Sequence, residues 1–169
     1  AELIDGRKFS RHDYDDGDGF NKGAYSSPIA CDGASIVVTV KPMRNGVATP
    51  WTSIVDFFYN KLSLGLRNDT GQICVWRNGN LQTSTATVPD GQTTVLSLVV
   101  QSNGTYKVWA NGVEVMSVSG TSALTSIAPG TEGHMKNITV GRNWPDGRTT
   151  FNGHIGDLLV YTQALSVAD

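Results

Sequence analysis

Short runs of alternating apolar and polar residues recur along the chain, separated by clusters of Gly, Pro and Asn. Alternation of period two, bounded by turn residues, predicts strands rather than helices. The expected strands are 35–40, 53–59, 62–67, 71–77, 81–88, 94–101, 105–110, 113–118, 137–141 and 155–161. A short further strand is expected within 1–9. Asn78-Gly79 and Asn111-Gly112 are two-residue hairpin turns, and Ser102-Asn103-Gly104 is a third turn, so 94–118 reads as a β-meander. Segments 119–136 and 142–150 are long polar loops. About eleven strands, with turns every ~8–12 residues, predict an all-β, two-sheet antiparallel sandwich.

The stretch Phe151–Leu165 anchors this scheme. In its strand, Ile155, Asp157, Leu159 and Tyr161 alternate with Gly156, Leu158 and Val160. Both sets are apolar or small apart from Asp157. Such a strand is expected to be buried on both faces, in the middle of a layered protein.

Composition sharpens this picture. The chain has 169 residues, enough for one domain with a sizeable core, and residues 1–169 read as a single domain. Charged residues make up 17%, against roughly 25% in ordinary soluble domains. The net charge is −2 and no basic stripe exists, which argues against nucleic acid as a partner. No apolar run approaches the roughly 20 residues of a membrane span, so membrane insertion is not expected. The chain starts at Ala1 and stops soon after its last strand, as expected of a module with neighbouring domains in a larger parent protein.

The order TYKVWANGVEV, NITVGRN and FNGHIGDLLVYTQALS resembles the C-terminal half of laminin-G-like, concanavalin-A-like jelly-roll modules of the lectin/glucanase superfamily. The residues that carry the resemblance are Trp109, Asn111, Gly112, Ile138, Val140, Gly141, Phe151, Gly153, Ile155, Tyr161, Ala164, Leu165 and Ser166. It implies a jelly-roll sandwich and recognition of glycan through loops at one end or through the concave sheet. Related glucanases carry Glu-x-Asp-x-x-Glu on one strand. That motif is missing here, and the only glutamates are Glu2, Glu114 and Glu132. Retaining glycoside hydrolysis needs two carboxyl groups roughly 5 Å apart, so catalysis by that route is not expected.

Two constellations carry candidate chemistry. Asp13, Asp15, Asp16 and Asp18 place four carboxylates beside two glycines, a donor set suited to calcium. The spacing is not that of an EF-hand, because Asp18 falls where the loop glycine belongs. A solvated acidic turn is the competing reading. The second constellation is aromatic. A sugar presents an apolar C–H face ringed by hydroxyls, so its site needs an exposed ring with polar neighbours. Trp144 lies among Asn143, Asp146 and Arg148, and Trp51 follows Pro50 in another loop. The competing reading is a loop indole folded over the open end of the sandwich. Trp109 is expected in the core or on a sheet surface, and Trp76 shares a strand face with Cys74, opposite Ile73 and Val75. His12, His134 and His154 are dispersed and expected to be solvated or capping. Cys31 and Cys74 are open to two readings, a disulfide or two free thiols.

These observations converge on a secreted or cell-surface module that binds glycan or polysaccharide without modifying it, with calcium as a possible cofactor. It would serve as an accessory domain, for instance of a glycan-active enzyme. The rival is a structural or adhesion module of a surface or virion fibre protein that binds protein. An enzyme of unfamiliar type is a third reading, which clustered carboxylates of raised pKa would reveal.

Overall fold

The computed structural model describes residues 2–4, 7–12, 20–22, 25–44, 50–131, 133–142 and 150–166, with backbone alone up to residue 22 and at 133–134. Among these, every regular element is a strand except a 3₁₀ turn at Gly133–Lys136. The strands are β1 (Glu2–Ile4), β2 (Arg7–His12), β3 (Phe20–Lys22), β4 (Ile29–Ala30), β5 (Ala34–Pro42), β6 (Thr52–Phe57), β7 (Leu62–Leu66) and β8 (Gln72–Arg77). They continue with β9 (Asn80–Thr87), β10 (Thr94–Val100), β11 (Tyr106–Ala110), β12 (Val113–Val118), β13 (Ser126–Ile127), β14 (Ile138–Val140) and β15 (Gly153–Tyr161).

Two antiparallel sheets form the jelly-roll sandwich. One has seven strands in the order β1-β2-β15-β5-β10-β11-β12, and the other has six in the order β3-β14-β6-β7-β8-β9. A separate two-stranded ribbon pairs β13 with β4. The chain passes back and forth between the sheets, so strands adjacent in a sheet are often far apart in sequence.

Alternation along the strands builds the core. Ile36, Val38 and Val40 of β5, with Leu96, Leu98 and Val100 of β10, turn inward and are sealed from solvent. Leu62, Leu64, Ile73 and Val75 meet them from the other sheet in one hydrophobic cluster. Near the ribbon, Leu124 plugs the interior. There buried Arg77 ties the adjoining segment down by donating to the carbonyls of Lys61, Ser122 and Ala123. The edge strands β9 and β12 are linked where Ser84 Oγ donates to the Val115 carbonyl (3.2 Å).

The last strand departs from expectation. Ile155 pairs with Val40 but Leu158 pairs with Val38, so two residues, Gly156 and Asp157, stand opposite one. This β-bulge breaks the simple alternation and brings Ile155 and Leu158 to the same face. Burial on both faces also fails. β2 pairs with β15 only across Gly153–Ile155. Beyond the bulge Leu159, Val160 and Tyr161 are 50%, 43% and 37% exposed. The strand is central at its start and a margin at its end. His154, expected to be solvated or capping, is buried.

Candidate functional site

The outward face of the six-stranded sheet carries a row of residues in register: Asp56 on β6, Ser63 on β7, Trp76 on β8 and Leu81 on β9. The neighbouring row is Ser53, Gly65, Cys74 and Thr83. Its small side chains leave a shallow floor, within which Ser53 Oγ and Ser63 Oγ share a hydrogen bond of 3.2 Å. At Gly65 a Cβ would stand 2.1 Å from the Thr52 carbonyl, so only glycine fits beside the bulge in β6.

Trp51 precedes β6, yet its ring meets that of Trp76 edge to face, with centroids 5.4 Å apart and planes at 65°. The register places Trp76 several rows from the start of β6, so the two side chains meet over the intervening small-residue row. Both indoles are half-buried, leaving ring surface open to solvent. Trp76 Nε1 is buried without a hydrogen-bond partner, so this residue offers ring surface rather than its N–H.

The ends of the 143–149 loop are anchored at the same place. The Gly141 amide donates to the Ile54 carbonyl (2.8 Å), and the Phe151 amide to the Gly141 carbonyl (2.7 Å). Thr150 bridges to Ser53. Both ends of this loop are thereby held within a few residues of Trp51. Asn143, Trp144, Asp146 and Arg148 themselves lie outside the described residues, as do Asp13, Asp15, Asp16 and Asp18.

Sequence reasoning singled out Trp51 but placed its partner Trp76 only on a strand face with Cys74, and it missed Asp56. The Asp56 carboxylate is buried in the sheet face, where Oδ2 accepts from the Tyr59 amide (2.9 Å) and Oδ1 from the Asn60 amide (2.8 Å). Those residues follow Phe58 through a left-handed turn, with φ of 54°, 54° and 63° at Phe58, Tyr59 and Asn60. Burial raises the Asp56 pKa to about 7 against the pull of these hydrogen bonds. The carboxylate is therefore engaged in holding a turn that lacks Gly and Pro. The available signal was an Asp followed closely by Asn with no other turn residue between two strands.

Other acidic groups do not gather around it. Among the described residues, no three of His, Cys, Asp and Glu come together as metal ligands. Glu114 is exposed on β12 and pairs with Lys107 Nζ at 2.8 Å. Both cysteines are free thiols. Cys31 lies near the ribbon and Cys74 is buried in the floor beneath the indoles, where burial pushes its pKa up.

This architecture has relatives. The profile of the concanavalin A-like lectin/glucanases superfamily, in its laminin-G-like form, matches residues 30–169, and the chain belongs to that superfamily. No curated protein matches the sequence. A Bacteroides ovatus protein described as carbohydrate binding is similar in structure, with a TM-score of 0.71 at 12% identity over 96% of this chain and 44% of that one. This chain therefore spans less than half of that protein. Domain 4 of AbnA, a GH43 extracellular arabinanase from Geobacillus stearothermophilus solved with arabinotriose, aligns over 96% of both chains at 19% identity and TM-score 0.59. A heptameric SAP-like pentraxin from Limulus polyphemus aligns over 88% of this chain and 71% of that one, at 14% identity and TM-score 0.64. At these identities the likeness is one of fold.

Proposed function

We propose that this chain is a non-catalytic carbohydrate-binding module that holds a glycan against the Trp51–Trp76 pair. Asn143, Asp146 and Arg148 would hydrogen-bond its hydroxyls, and Trp144 would add a second stacking surface. The observation that carries the reading is the indole pair itself, half-open above a floor of small residues. An exposed aromatic surface beside small polar side chains suits a ligand with an apolar ring face and a hydroxyl rim. Neighbours of the same fold described as binding carbohydrate, one of them with arabinotriose, support the same reading. Catalysis is left out because the one buried carboxyl described on this face, Asp56, is engaged by backbone amides. An extracellular or cell-surface setting, within a larger glycan-active protein, follows from this role and belongs to the same proposal.

Trp51→Ala tests it. Titration of a glycan array with wild type and variant should show at least a tenfold loss for the preferred sugar, with an unchanged far-UV spectrum. Undiminished binding by a folded Trp51→Ala protein would remove this face from consideration. Trp144→Ala separately tests the loop.

A further inference from the structure

We propose that the outward face of the seven-stranded sheet carries a second saccharide site, built around Trp109 and specific for a neutral sugar ring. The proposal rests on the glycan-binding reading above but on different residues and the opposite face of the sandwich.

The site is a consequence of register. One row across the sheet places Leu159 of β15, Val37 of β5, Ser97 of β10 and Trp109 of β11 side by side. The next row places Tyr161, Ser35, Val99 and Lys107 on the same four strands. Leu159 and Tyr161 thus stand on β15 and Trp109 on β11, while the two strands between them carry only Ser and Val; Lys107 lies outside the cavity lining. Three inter-strand spacings separate the walls by about 14 Å. The result is a trough with a cavity of about 360 Å³, within the ~300–1,000 Å³ range of small-ligand sites.

The bulge at Gly156-Asp157 is what sets the Leu159 and Tyr161 side of the trough. Without it, alternation would turn both side chains to the other face. One end is closed. The segment after β15 folds over Ser35, whose Oγ donates to the Gln163 carbonyl (2.9 Å) and accepts from the Leu165 amide (2.8 Å). Leu165 and Ser166 form that end wall.

The lining decides the ligand class. Trp109 is half-buried and offers a ring surface for stacking, and Ser97 and Ser166 bring hydroxyls to the same cavity. Among the described residues, no Asp, Glu, Lys, Arg or His lines it. Nearby Lys107 and Glu114 neutralise each other. A site without formal charge does not compensate an acidic sugar, so the ligand is neutral. A closed end and this small volume fit a terminal sugar ring.

Two sites on opposite faces would let one module bridge two glycan chains or hold one array more firmly than either site alone. Fluorine NMR of protein labelled with 5-fluorotryptophan tests this, because Trp51, Trp76, Trp109 and Trp144 each give a resonance assignable by Trp→Phe substitution. The probes are arabinotriose, xylotriose and cellotriose, titrated separately. The expected result is that at least one sugar shifts both the Trp51–Trp76 pair and Trp109, with separate saturation curves. Ser97→Phe, which fills the floor, should weaken the Trp109 response at least tenfold and leave the Trp51 response intact. Tyr161→Ala, which lowers a wall without filling the cavity, should weaken it severalfold.

Several outcomes overturn the second site. Sugar shifts at Trp51 and Trp76 with Trp109 unmoved would remove it and leave the first site standing. A Trp109 shift indifferent to both variants would mark a remote effect. A Trp109 response to the apolar dye ANS but to no sugar would make the trough a protein-docking face. Silence at all four indoles with all three sugars would overturn both this proposal and the reading it rests on.

Discussion

Burial of the Asp56 carboxyl costs the anion its hydration, and the Tyr59 and Asn60 amides return only part of it. The folded protein therefore favours the protonated form, with a pKa of about 7 against the ordinary 3.8. Because the folded state binds this proton more tightly than the unfolded chain, the contribution is full below about pH 4 and is lost as pH rises towards 7. From this group alone, unfolding free energy should be up to about 3 kcal/mol lower at pH 8 than at pH 5. Urea titrations at the two pH values measure the difference. Asp56→Ala should abolish that slope and lower stability by about 2 kcal/mol at pH 5, since it also leaves the turn amides without their acceptor. The raised Cys31 and Cys74 thiols act only above pH 9 and stay outside this window.

Among the elements, turns and bulges carry the sharpest constraints. Gly104 and Gly112 both adopt positive φ, 92° and 81°, but their surroundings differ. A Cβ at Gly104 would stand 2.3 Å from the Ser122 carbonyl oxygen, whereas at Gly112 it would meet nothing within 4 Å. Gly112→Ala should therefore cost only the left-handed strain, about 1 kcal/mol. Gly104→Ala must also displace backbone and should cost clearly more, with thermal melts giving the ranking. The bulge in β15 makes a second contrast. Leu158 packs against the core and Leu159 is half-exposed. Leu158→Ala should cost about 1–2 kcal/mol and Leu159→Ala less than about 0.5. Equal losses would show that the strand does not hold the shifted register.

At the scale of the whole molecule, the two sheets present outward faces of different kinds. One has the Trp51–Trp76 pair over small residues, and the other has the trough beside Trp109. The proposed calcium site at Asp13, Asp15, Asp16 and Asp18 lies on the connection from β2 to β3, which are edge-region strands of opposite sheets. A cation there would relieve repulsion between the carboxylates. Millimolar calcium should then raise the melting temperature relative to EDTA by several degrees. An unchanged melting temperature would return the cluster to the reading of a solvated acidic turn.

Strand positions and hairpin turns were legible because they are local. Alternation fixed β5 to β12 to within a residue or two, and Asn78-Gly79 and Asn111-Gly112 announced turns whose residues do take positive φ. The superfamily was legible for the same reason, since its signature is a succession of such strands and turns. Other features depended on which strand lies beside which. Trp51 meets Trp76, and Leu159 shares a row with Trp109, only because the two sheets set particular neighbours in register. The exposed end of β15 likewise reflects a partner strand that stops short, and the bulge reflects two residues opposing one. Composition and periodicity determine how a segment folds on itself. Sheet order, which rests on pairings between residues far apart in the chain, decided which side chains meet to make a surface.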